Sequence, residues 1–417
     1  MHVESILRRL HPLPGFVYGS VRWTSTRRGK VLHVDICPRK GARAVCSGCF
    51  QKGRGYDTLA TRLFTFVPLW GIAVFLVYAM RRVDCRRCGV TVELVPWASG
   101  KSHTTHAFVW FIASWARALS WAECGRRFAS SWDTVLRCVE EAVRWGLEHR
   151  NLDGIHAIGV DELAWKKGHK YLTLVYQLDH GQRRLLHIAK ERTTASFNSF
   201  FDMLGQARSK AIIFVASDMW RAFLNVVRKR TSAIHVLDRF HVAQLLSKAV
   251  DTVRRDEVRA LRASGTQVVL TKTRWLLLKN PENLTLLQRR RLRDLVTINL
   301  RSVRGYLLKE QFQHFWTYHS SVWGRKFLDR WTTMAMRSRL PPFKKFAATL
   351  RKHQRELLNW FVARGQFAHG ATEGFNNKAR ITTRKAYGFR TYEHAEIALY
   401  HALGGLPEPP WLAHRFC

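Results

Sequence analysis

Three acidic residues in unlike surroundings are the side chains of this sequence best suited to chemistry. Asp161 ends one apolar run, Asp218 follows a second, and Glu373 lies in a basic, amide-rich stretch. Carboxylate oxygens are the ligands that Mg²⁺ prefers, and two such ions can activate an attacking oxygen and stabilise a leaving one in phosphoryl transfer. A single acid is more commonly a helix cap or an ion-pair partner. Nearby acids compete for the same role: Glu162, Asp179 and Asp202.

The charge of the chain indicates the substrate of such chemistry. It has 417 residues, with 69 Lys and Arg against 30 Asp and Glu, a formal net charge of +39 and a pI of about 10.9. A charge this large repels itself without an anionic partner. Nucleic acid is the leading candidate for that partner, because phosphates neutralised by Lys and Arg release counterions and so drive binding. A merely solvated basic surface and an anionic membrane are the weaker alternatives. No apolar stretch reaches the length of a membrane span.

The elements that must position the acids follow from apolar patterning. Residues 155–240 predict strands at Ile155–Val160, Tyr171–Leu178, Leu185–Ala189 and Ile212–Ala216, with a helix from Thr194 to Ala207. Strands and a crossover helix in this order predict an α/β core. Residues 1–100 predict short strands. Residues 103–150 and 242–370 predict helices, and the second of these segments is strongly basic.

Two CxxC pairs predict a zinc site. Cys46 and Cys49 form the first pair, and Cys85 and Cys88 form the second. Four thiolates in two such turns suit tetrahedral Zn²⁺, although the intervening loop is longer than usual and must hold a hairpin. Buried structural thiols and redox pairs are the alternatives. The remaining cysteines lack such pairing: Cys37, Cys124, Cys138 and Cys417.

Two capping patterns predict a helix-turn-helix. Ser120 with Glu123, and Ser130 with Asp133, fit the spacing of a capping box. Two helices that start ten residues apart suit a tight turn, with the second helix, from Trp132 to about Trp145, entering the major groove of DNA. An ordinary helical hairpin is the alternative. The residues predicted to contact DNA from these two N-terminal modules are Arg86, Arg87, Arg126, Arg127, Ser131 and Arg137.

The order of these features, together with three short motifs, resembles the DDE transposases of bacterial insertion sequences, specifically the ISL-three family. The motifs are Gly159-Val160-Asp161-Glu162, Ser217-Asp218-Met219-Trp220 and Thr372-Glu373-Gly374-Phe375-Asn376-Asn377-Lys378. Further similar stretches are 238–242, 385–390 and the helical region 323–361, so the resemblance covers nearly the whole chain. It implies that Asp161, Asp218 and Glu373 hold Mg²⁺ or Mn²⁺, and that Zn²⁺ is a second cofactor. His241, in a D-x-x-H pair with Asp238, would bind a phosphate or orient the loop of Asp218; packing is its alternative role.

The resemblance also implies a fold class and domains. The expected fold is α/β, with an RNase H-like catalytic core that carries a helical insertion and is preceded by a small zinc ribbon and a helix-turn-helix domain. The expected ranges are 1–100 for the ribbon, 101–150 for the helix-turn-helix, 151–245 for the first part of the core, 246–365 for the insertion and 366–417 for the C-terminal part of the core.

Further residues are predicted to bind DNA from the insertion and from the segment after Glu373. Trp316 and Trp323 would stack on a flipped base, with core packing as the alternative for each. A basic face after Glu373 would hold the DNA backbone. Its members are Lys378, Arg380, Arg384, Lys385 and Arg390.

The function that follows is a DNA transposase that binds terminal inverted repeats and catalyses metal-dependent cleavage and strand transfer. The expected partner is double-stranded DNA, as transposon ends and as target, and no membrane is expected. Pairing of two ends calls for a homodimer or a larger synaptic complex, in the cytoplasm and associated with the nucleoid. The alternative is a DNA-binding regulator that descends from a transposase and does not cut.

Overall fold

The computed structural model describes residues 3–26, 29–166, 168, 170–265, 270–298, 300–363 and 371–412. Cys417 lies outside this range. The strands are β1 Phe16–Thr26, β2 Gly29–Pro38, β3 Arg54–Leu69, β4 Ile72–Cys85, β5 Gly89–Val92, β6 Ala157–Lys166, β7 Lys170–Gln177, β8 Arg184–Lys190, β9 Phe214–Ser217 and β10 Ile234–Leu237.

Helices make up most of the remaining described chain. They are α1 Val3–Leu10, α2 His106–Ala118, α3 Trp121–Arg127, α4 Trp132–His149, α5 Thr194–Leu204, α6 Gln206–Ala211, α7 Arg221–Arg230, α8 Arg239–Ala263, α9 Arg274–Leu278, α10 Leu286–Val296, α11 Arg301–Gln313, α12 Ser321–Arg337, α13 Pro341–Lys352, α14 Gln354–Val362, α15 Ala371–Lys385 and α16 Tyr392–Leu403. No helix in the described ranges is both long and apolar enough to cross a bilayer.

The chain forms two compact units. The first unit consists of residues 1–150, 382–402 and 406–417, and the second of residues 151–381 and 403–405. The last residues of α15, from Thr382 onward, therefore belong to the first unit. The mixed α/β character expected from the sequence is confirmed in the described residues.

The first unit contains a five-stranded sheet in the order β1-β2-β4-β3, with β5 paired to β4. Its strands are longer than the short strands predicted, since β3 has 16 residues and β4 has 14. On β4 every second residue is buried, from Val74 to Met80, as expected of a sheet with one face on a core. That core surrounds Trp97, whose ring makes edge contacts with Phe16, Phe64 and Tyr78. β3 and β4 form the hairpin predicted between the two CxxC pairs.

Helices α2, α3 and α4 complete this unit together with α16. The Ser120 hydroxyl caps α3 by accepting from Glu123 N, and the Ser131 hydroxyl caps α4 by accepting from Thr134 N. The second capping box is therefore shifted by one residue from the prediction at Ser130. A Cβ at Gly125 would lie 2.8 Å from Ser130 O, so glycine allows the tight turn between α3 and α4.

The second unit is built on a five-stranded sheet in the order β10-β9-β6-β7-β8. β6, β7 and β8 are antiparallel neighbours, whereas β9 runs parallel to β6 and β10 runs parallel to β9. β7 is buried over six consecutive residues, which is typical of a strand covered on both faces. Phenylalanines from α5 and α7 pack on the sheet at Phe197, Phe200 and Phe223.

The helices from α8 to α14 form a separate hydrophobic core in this unit, around Phe312, Trp331 and Phe346. The helical pattern predicted for residues 242–370 is thus confirmed where the chain is described. Trp316 belongs to this packing, because its ring contacts Phe315 and Trp360. Trp323 is exposed, with Lys326 Nζ 4.7 Å from the centre of its ring.

Candidate active site

The acidic residues lie at one edge of the sheet in the second unit. Gly159 of β6 pairs with Ala216 of β9, and Ser217 of β9 pairs with Leu237 of β10. Two residues after Gly159 comes Asp161, two after Ala216 comes Asp218, and one after Leu237 comes Asp238. The register of three adjacent parallel strands therefore brings these carboxylates to the same level. Asp218 and Asp238 follow the carboxyl ends of β9 and β10, where α/β sheets bind ligands, whereas Asp161 lies within β6, which continues to Lys166.

Asp161 is surrounded by groups that fix its carboxylate. Its Oδ1 accepts from Glu162 N at 2.7 Å, and its Oδ2 accepts from Asn376 Nδ2. Burial raises the pKa of Asp161, while the charge of His241 and these hydrogen bonds act in the opposite direction. The side chain is therefore held in place by donors that favour its ionised form.

Helix α15 carries Glu373 and Asn376, which are three residues apart and so share a helix face. Asn376 accepts from Tyr176 Oη at 3.1 Å and donates to Asp161. Its neighbour Phe375 stacks on the Tyr176 ring with centroids 4.7 Å apart. These contacts turn the face of α15 that carries Glu373 towards the strand that carries Asp161.

Arg192 links the acids on the other side. Its guanidinium bonds to Glu162 and lies 3.4 Å from Asp218 Oδ2, and it covers the Trp220 ring at 4.5 Å. Asp218 Oδ1 also accepts from Trp220 N at 2.9 Å. Burial raises the pKa of Glu162 to about 7, against the charge of Arg192.

His241 follows β10, in the first turn of α8. Its Nδ1 lies 3.3 Å from Asp238 Oδ2 and its Nε2 lies 3.9 Å from Asp161 Oδ1. Burial alone would lower its pKa, but the contact with Asp238 and the charges of Asp161 and Asp218 raise it to about 9. The imidazole is therefore a cation at neutral pH, placed between two carboxylates.

The four catalytic residues predicted from the sequence differ in how directly they contact one another in the structure. Asp161 and His241 are in contact, Asp218 is tied to them through Arg192 and Glu162, and Glu373 is tied through Asn376. In the described part of the chain, only the four cysteines bring three or more candidate ligand atoms within 4.8 Å of one another. Asp161 and Asp218 therefore lie at the same level of the sheet, and the three acids are not closed around a single point.

Sequence reasoning missed three residues of this site. Asn376 lies inside a quoted motif, three residues after Glu373, and that helical spacing is a signal that could have identified it. Asp238 was noted only as the partner of His241, although it follows a buried strand as Asp218 does. Arg192 lies between a strand and a helix with no local signal, so its role becomes visible only in the structure.

The four cysteines of the first unit form the second candidate site. Their Sγ atoms all lie within 4.8 Å of one another, and Cys49 Sγ is 3.4 Å from Cys85 Sγ. Tetrahedral zinc with bonds of about 2.3 Å needs sulfurs roughly 3.8 Å apart. Gly48 N–H points at Cys46 Sγ, and a Cβ at Gly48 would lie 3.1 Å from Cys88 Sγ. The donor set and its spacing fit zinc.

The comparisons with known proteins agree with the motifs. A family model described as a transposase, that of the ISL-three DDE transposases, matches residues 158–399. The chain belongs to this family. The transposase for insertion sequence element IS1557 of Mycobacterium tuberculosis is 32% identical over 391 residues, which is 87% of this chain and 86% of the relative. The transposase for insertion sequence element IS1001 of Bordetella parapertussis is 26% identical over 406 residues, 96% and 98% of the two chains.

Family membership makes this protein a DNA transposase. The matched range begins within β6, just before Asp161, and ends in α16, so it contains all three acids. Both relatives are transposases, which does not favour the alternative of a regulator that binds without cutting.

Proposed function

We propose that this transposase binds the terminal inverted repeats of its element, cleaves the DNA there and joins the freed 3′ end to a target. Asp161, Asp218 and Glu373 would hold Mg²⁺ or Mn²⁺. The observation that carries this proposal is the register of β6 and β9, which puts Asp161 and Asp218 side by side, together with the bond from Asn376 that ties the Glu373 helix to Asp161.

The sheet supports an RNase H-like core. Three antiparallel strands followed by two parallel strands, in the order β8-β7-β6-β9-β10, with helices α5 and α6 between β8 and β9, agree with that expectation. Helices α8 to α14 enter between β10 and α15, where the resemblance implies an insertion. The proposed domain ranges are those given by the sequence, except that residues 382–402 are grouped with the first compact unit.

The donors at the edge of the sheet suit hard divalent ions, since they are carboxylate oxygens. Bound Mg²⁺ would polarise the phosphate and activate the attacking oxygen. Asn376 holds Asp161 in one orientation, and Arg192 holds Asp218 and Glu162. His241, as a cation beside Asp161, would attract a DNA phosphate to this edge.

The N-terminal modules would recognise the ends. A zinc ribbon at Cys46, Cys49, Cys85 and Cys88 exposes Arg86 and Arg87 in its second turn. In the helix-turn-helix of α3 and α4, Arg127 and Ser131 are exposed at the turn. Arg126 pairs with Glu123, and Arg137 pairs with Asp133. On DNA binding, each of these arginines would leave its carboxylate partner and pair with a DNA phosphate.

Other cations would hold the DNA backbone. Lys378, Arg380, Arg384 and Arg390 are exposed. Lys385 is engaged elsewhere, because its Nζ donates to Ala116 O at 3.1 Å and to Arg117 O at 2.9 Å. Lys385 is therefore not available to hold DNA, contrary to the expectation from the sequence. Trp323 stays as a proposed base-stacking residue because its ring is exposed, whereas packing accounts for Trp316.

Two transposon ends must be held together, so a homodimer or larger assembly is proposed.

The test is a cleavage and joining assay on DNA that carries the element's own ends, with Mg²⁺ or with EDTA. We expect Asp161→Asn, Asp218→Asn and Glu373→Gln each to lose nicking and joining while DNA affinity stays within a fewfold of wild type. Asp202→Asn is the matched control, since Asp202 is an exposed acid of the same unit that pairs with Arg230. Full activity in any of the three variants, or tight binding by the wild type without cutting in any metal, would contradict the proposal.

A further inference from the structure

Helix α15 ends in a turn that places a tyrosine where glycine is usual. Tyr387 N donates to Arg384 O at 2.9 Å, and Gly388 N donates to Thr383 O at 2.9 Å. This pair of bonds is the Schellman pattern, in which the residue just past the cap takes the left-handed conformation. Here that residue is Tyr387, with φ of 54°. Left-handed backbone is disfavoured for a residue with a bulky side chain, so the turn holds its tyrosine under strain.

The ring of Tyr387 gains nothing from packing in the described structure. Its exposed fraction is 100%. A single exposed aromatic residue is ordinary on a protein surface, and Phe50 and Trp70 are also exposed aromatic residues with positive φ. Strained backbone concentrates at sites of function, and the surroundings of Tyr387 distinguish it from the other two.

The turn is anchored on the proposed helix-turn-helix, within the first unit. Phe389 is buried, and its ring lies 6.2 Å from that of Trp121, the first residue of α3. His394 contacts both Trp121 at 6.0 Å and Trp132, the first residue of α4, at 6.5 Å. Lys385 fastens the other side of the turn to the last carbonyls of α2.

These contacts place Tyr387 near the end of the helix pair that would face DNA. In a helix-turn-helix the N-terminal residues of the second helix contact base edges. The turn packs at the N-terminal end of α3 through Phe389, and His394 of the following helix α16 contacts the N-terminal residue of α4. Exposed arginines flank the tyrosine in sequence at Arg384 and Arg390. Cations beside an accessible aromatic ring are the combination with which proteins hold a backbone and stack on its bases.

We propose that the turn 386–390 is an additional DNA-binding element of the helix-turn-helix unit, and that Tyr387 stacks on an unpaired base of the bound DNA. The proposal rests on the proposed function, because it requires α3 and α4 to bind the transposon ends. The ligand is a base freed from its pair, since both faces of a base within a duplex are already stacked. The strained, well-anchored turn keeps the ring presented before DNA arrives.

The test uses a set of end duplexes in which one position at a time is 2-aminopurine opposite an abasic site. Wild type is expected to bind one of these duplexes about tenfold more tightly than the fully paired duplex, and to quench its fluorescence. Tyr387→Phe keeps the ring and should keep both effects. Tyr387→Asn should lose both effects. Because asparagine tolerates the left-handed conformation, the thermal midpoint of this variant should be equal to or above that of wild type, which excludes misfolding as the cause.

Trp70→Asn is the matched control in the same unit. Trp70 also has positive φ, at 50°, precedes a glycine with positive φ, and is 79% exposed, but it lies on the hairpin between β3 and β4. This variant should keep the preference for the unpaired base. An equal loss in Trp70→Asn would overturn the assignment to Tyr387.

The other outcomes are also decisive. A preference retained by Tyr387→Asn overturns the proposal, and a preference lost by Tyr387→Phe overturns stacking in favour of a contact by the hydroxyl group. If wild type binds the ends but prefers no unpaired position, the stacking proposal fails and the proposed function stands. If wild type does not bind the ends at all, both fail.

Discussion

Among single residues, Asn376 has the most consequence beyond the three proposed metal ligands. One amide joins Tyr176 and Asp161, residues of two strands, to the helix that carries Glu373. Groups that orient a metal ligand commonly change activity by about 10–100-fold when removed. The arrangement of the acids should therefore depend on this side chain more than on any other neutral one described at the site.

Asn376→Ala is expected to lower the rate of end cleavage by about 10–100-fold, because Asp161 loses the donor that orients it. DNA affinity should not change. The neighbouring Asn377→Ala is the control, since Asn377 is exposed and contacts only Arg380 among the bonds described. Cleavage rates at saturating DNA provide the measurement. Equal rates for Asn376→Ala and Asn377→Ala would contradict the role of Asn376.

His401 predicts a dependence of stability on pH. Burial, with the charges of Arg117 and Lys385, lowers its pKa from 6.5 to about 3. Between pH 6.5 and pH 3, His401 therefore binds a proton in the unfolded state but not in the folded state. The stability that the neutral His401 allows is present above pH 6.5, and the free energy of unfolding decreases as the pH falls below that value. Between pH 7 and pH 5 the loss is about 2 kcal/mol.

Urea unfolding at pH 7 and pH 5 checks this expectation. His401→Gln keeps a polar side chain that does not titrate, so its free energy of unfolding should fall by about 2 kcal/mol less than that of wild type over this interval. The difference between the two proteins isolates His401 from the carboxylates, which titrate in both. Parallel losses in wild type and variant would show that His401 is not buried in its neutral form.

Among the secondary-structure elements, the proposed zinc ribbon makes a separate prediction. Cys46→Ser and Cys88→Ser should each lose the bound Zn²⁺, since a structural site needs all four ligands, and residues 39–100 should become sensitive to limited proteolysis. Cys37→Ser is the control, because Cys37 is exposed on β2 and lies outside the cluster. Metal analysis of the purified proteins gives the readout. Zinc lost from Cys37→Ser, or kept by Cys88→Ser, would show that the ligand set is wrong.

The strands and helix starts near the site were largely predictable from the sequence. Apolar runs located the strands that carry or precede Asp161 and Asp218, because burial on both faces leaves a continuous apolar pattern. The same rule misplaced the end of β6: it was predicted to stop at Val160, but alternation through Leu163 and Trp165 carries the strand to Lys166. Serine caps fixed the starts of α3 and α4, with an error of one residue at Ser131.

Contacts across long stretches of chain were beyond such reasoning. The bond between Asn376 and Asp161 joins residues 215 positions apart, and the contact between Arg192 and Asp218 joins two loops. Nothing local in either partner specifies the other. The anchoring of the turn 386–390 on α3 was missed for the same reason, and the sequence placed this segment with the catalytic core.

The net charge of the protein, +39, predicts how DNA binding depends on salt concentration. Binding to random-sequence duplex should weaken by about 10³–10⁵ between 50 and 200 mM salt if six to ten phosphates are contacted. The logarithm of affinity should fall linearly with the logarithm of salt concentration. Titration of labelled duplex at four salt concentrations measures the slope. A loss smaller than tenfold would mean that the charge of this chain does not serve DNA binding.

Exchange of Asp161, Asp218 or Glu373 for cysteine shows whether each of these residues is a metal ligand. A thiolate is a poor ligand for Mg²⁺ but a better one for the softer Mn²⁺. We predict that each variant is inactive in cleavage with Mg²⁺ and regains part of its activity with Mn²⁺, while Asp202→Cys behaves as wild type in both. Cleavage with Mg²⁺ at the wild-type rate by any of the three variants would show that the exchanged residue is not a metal ligand.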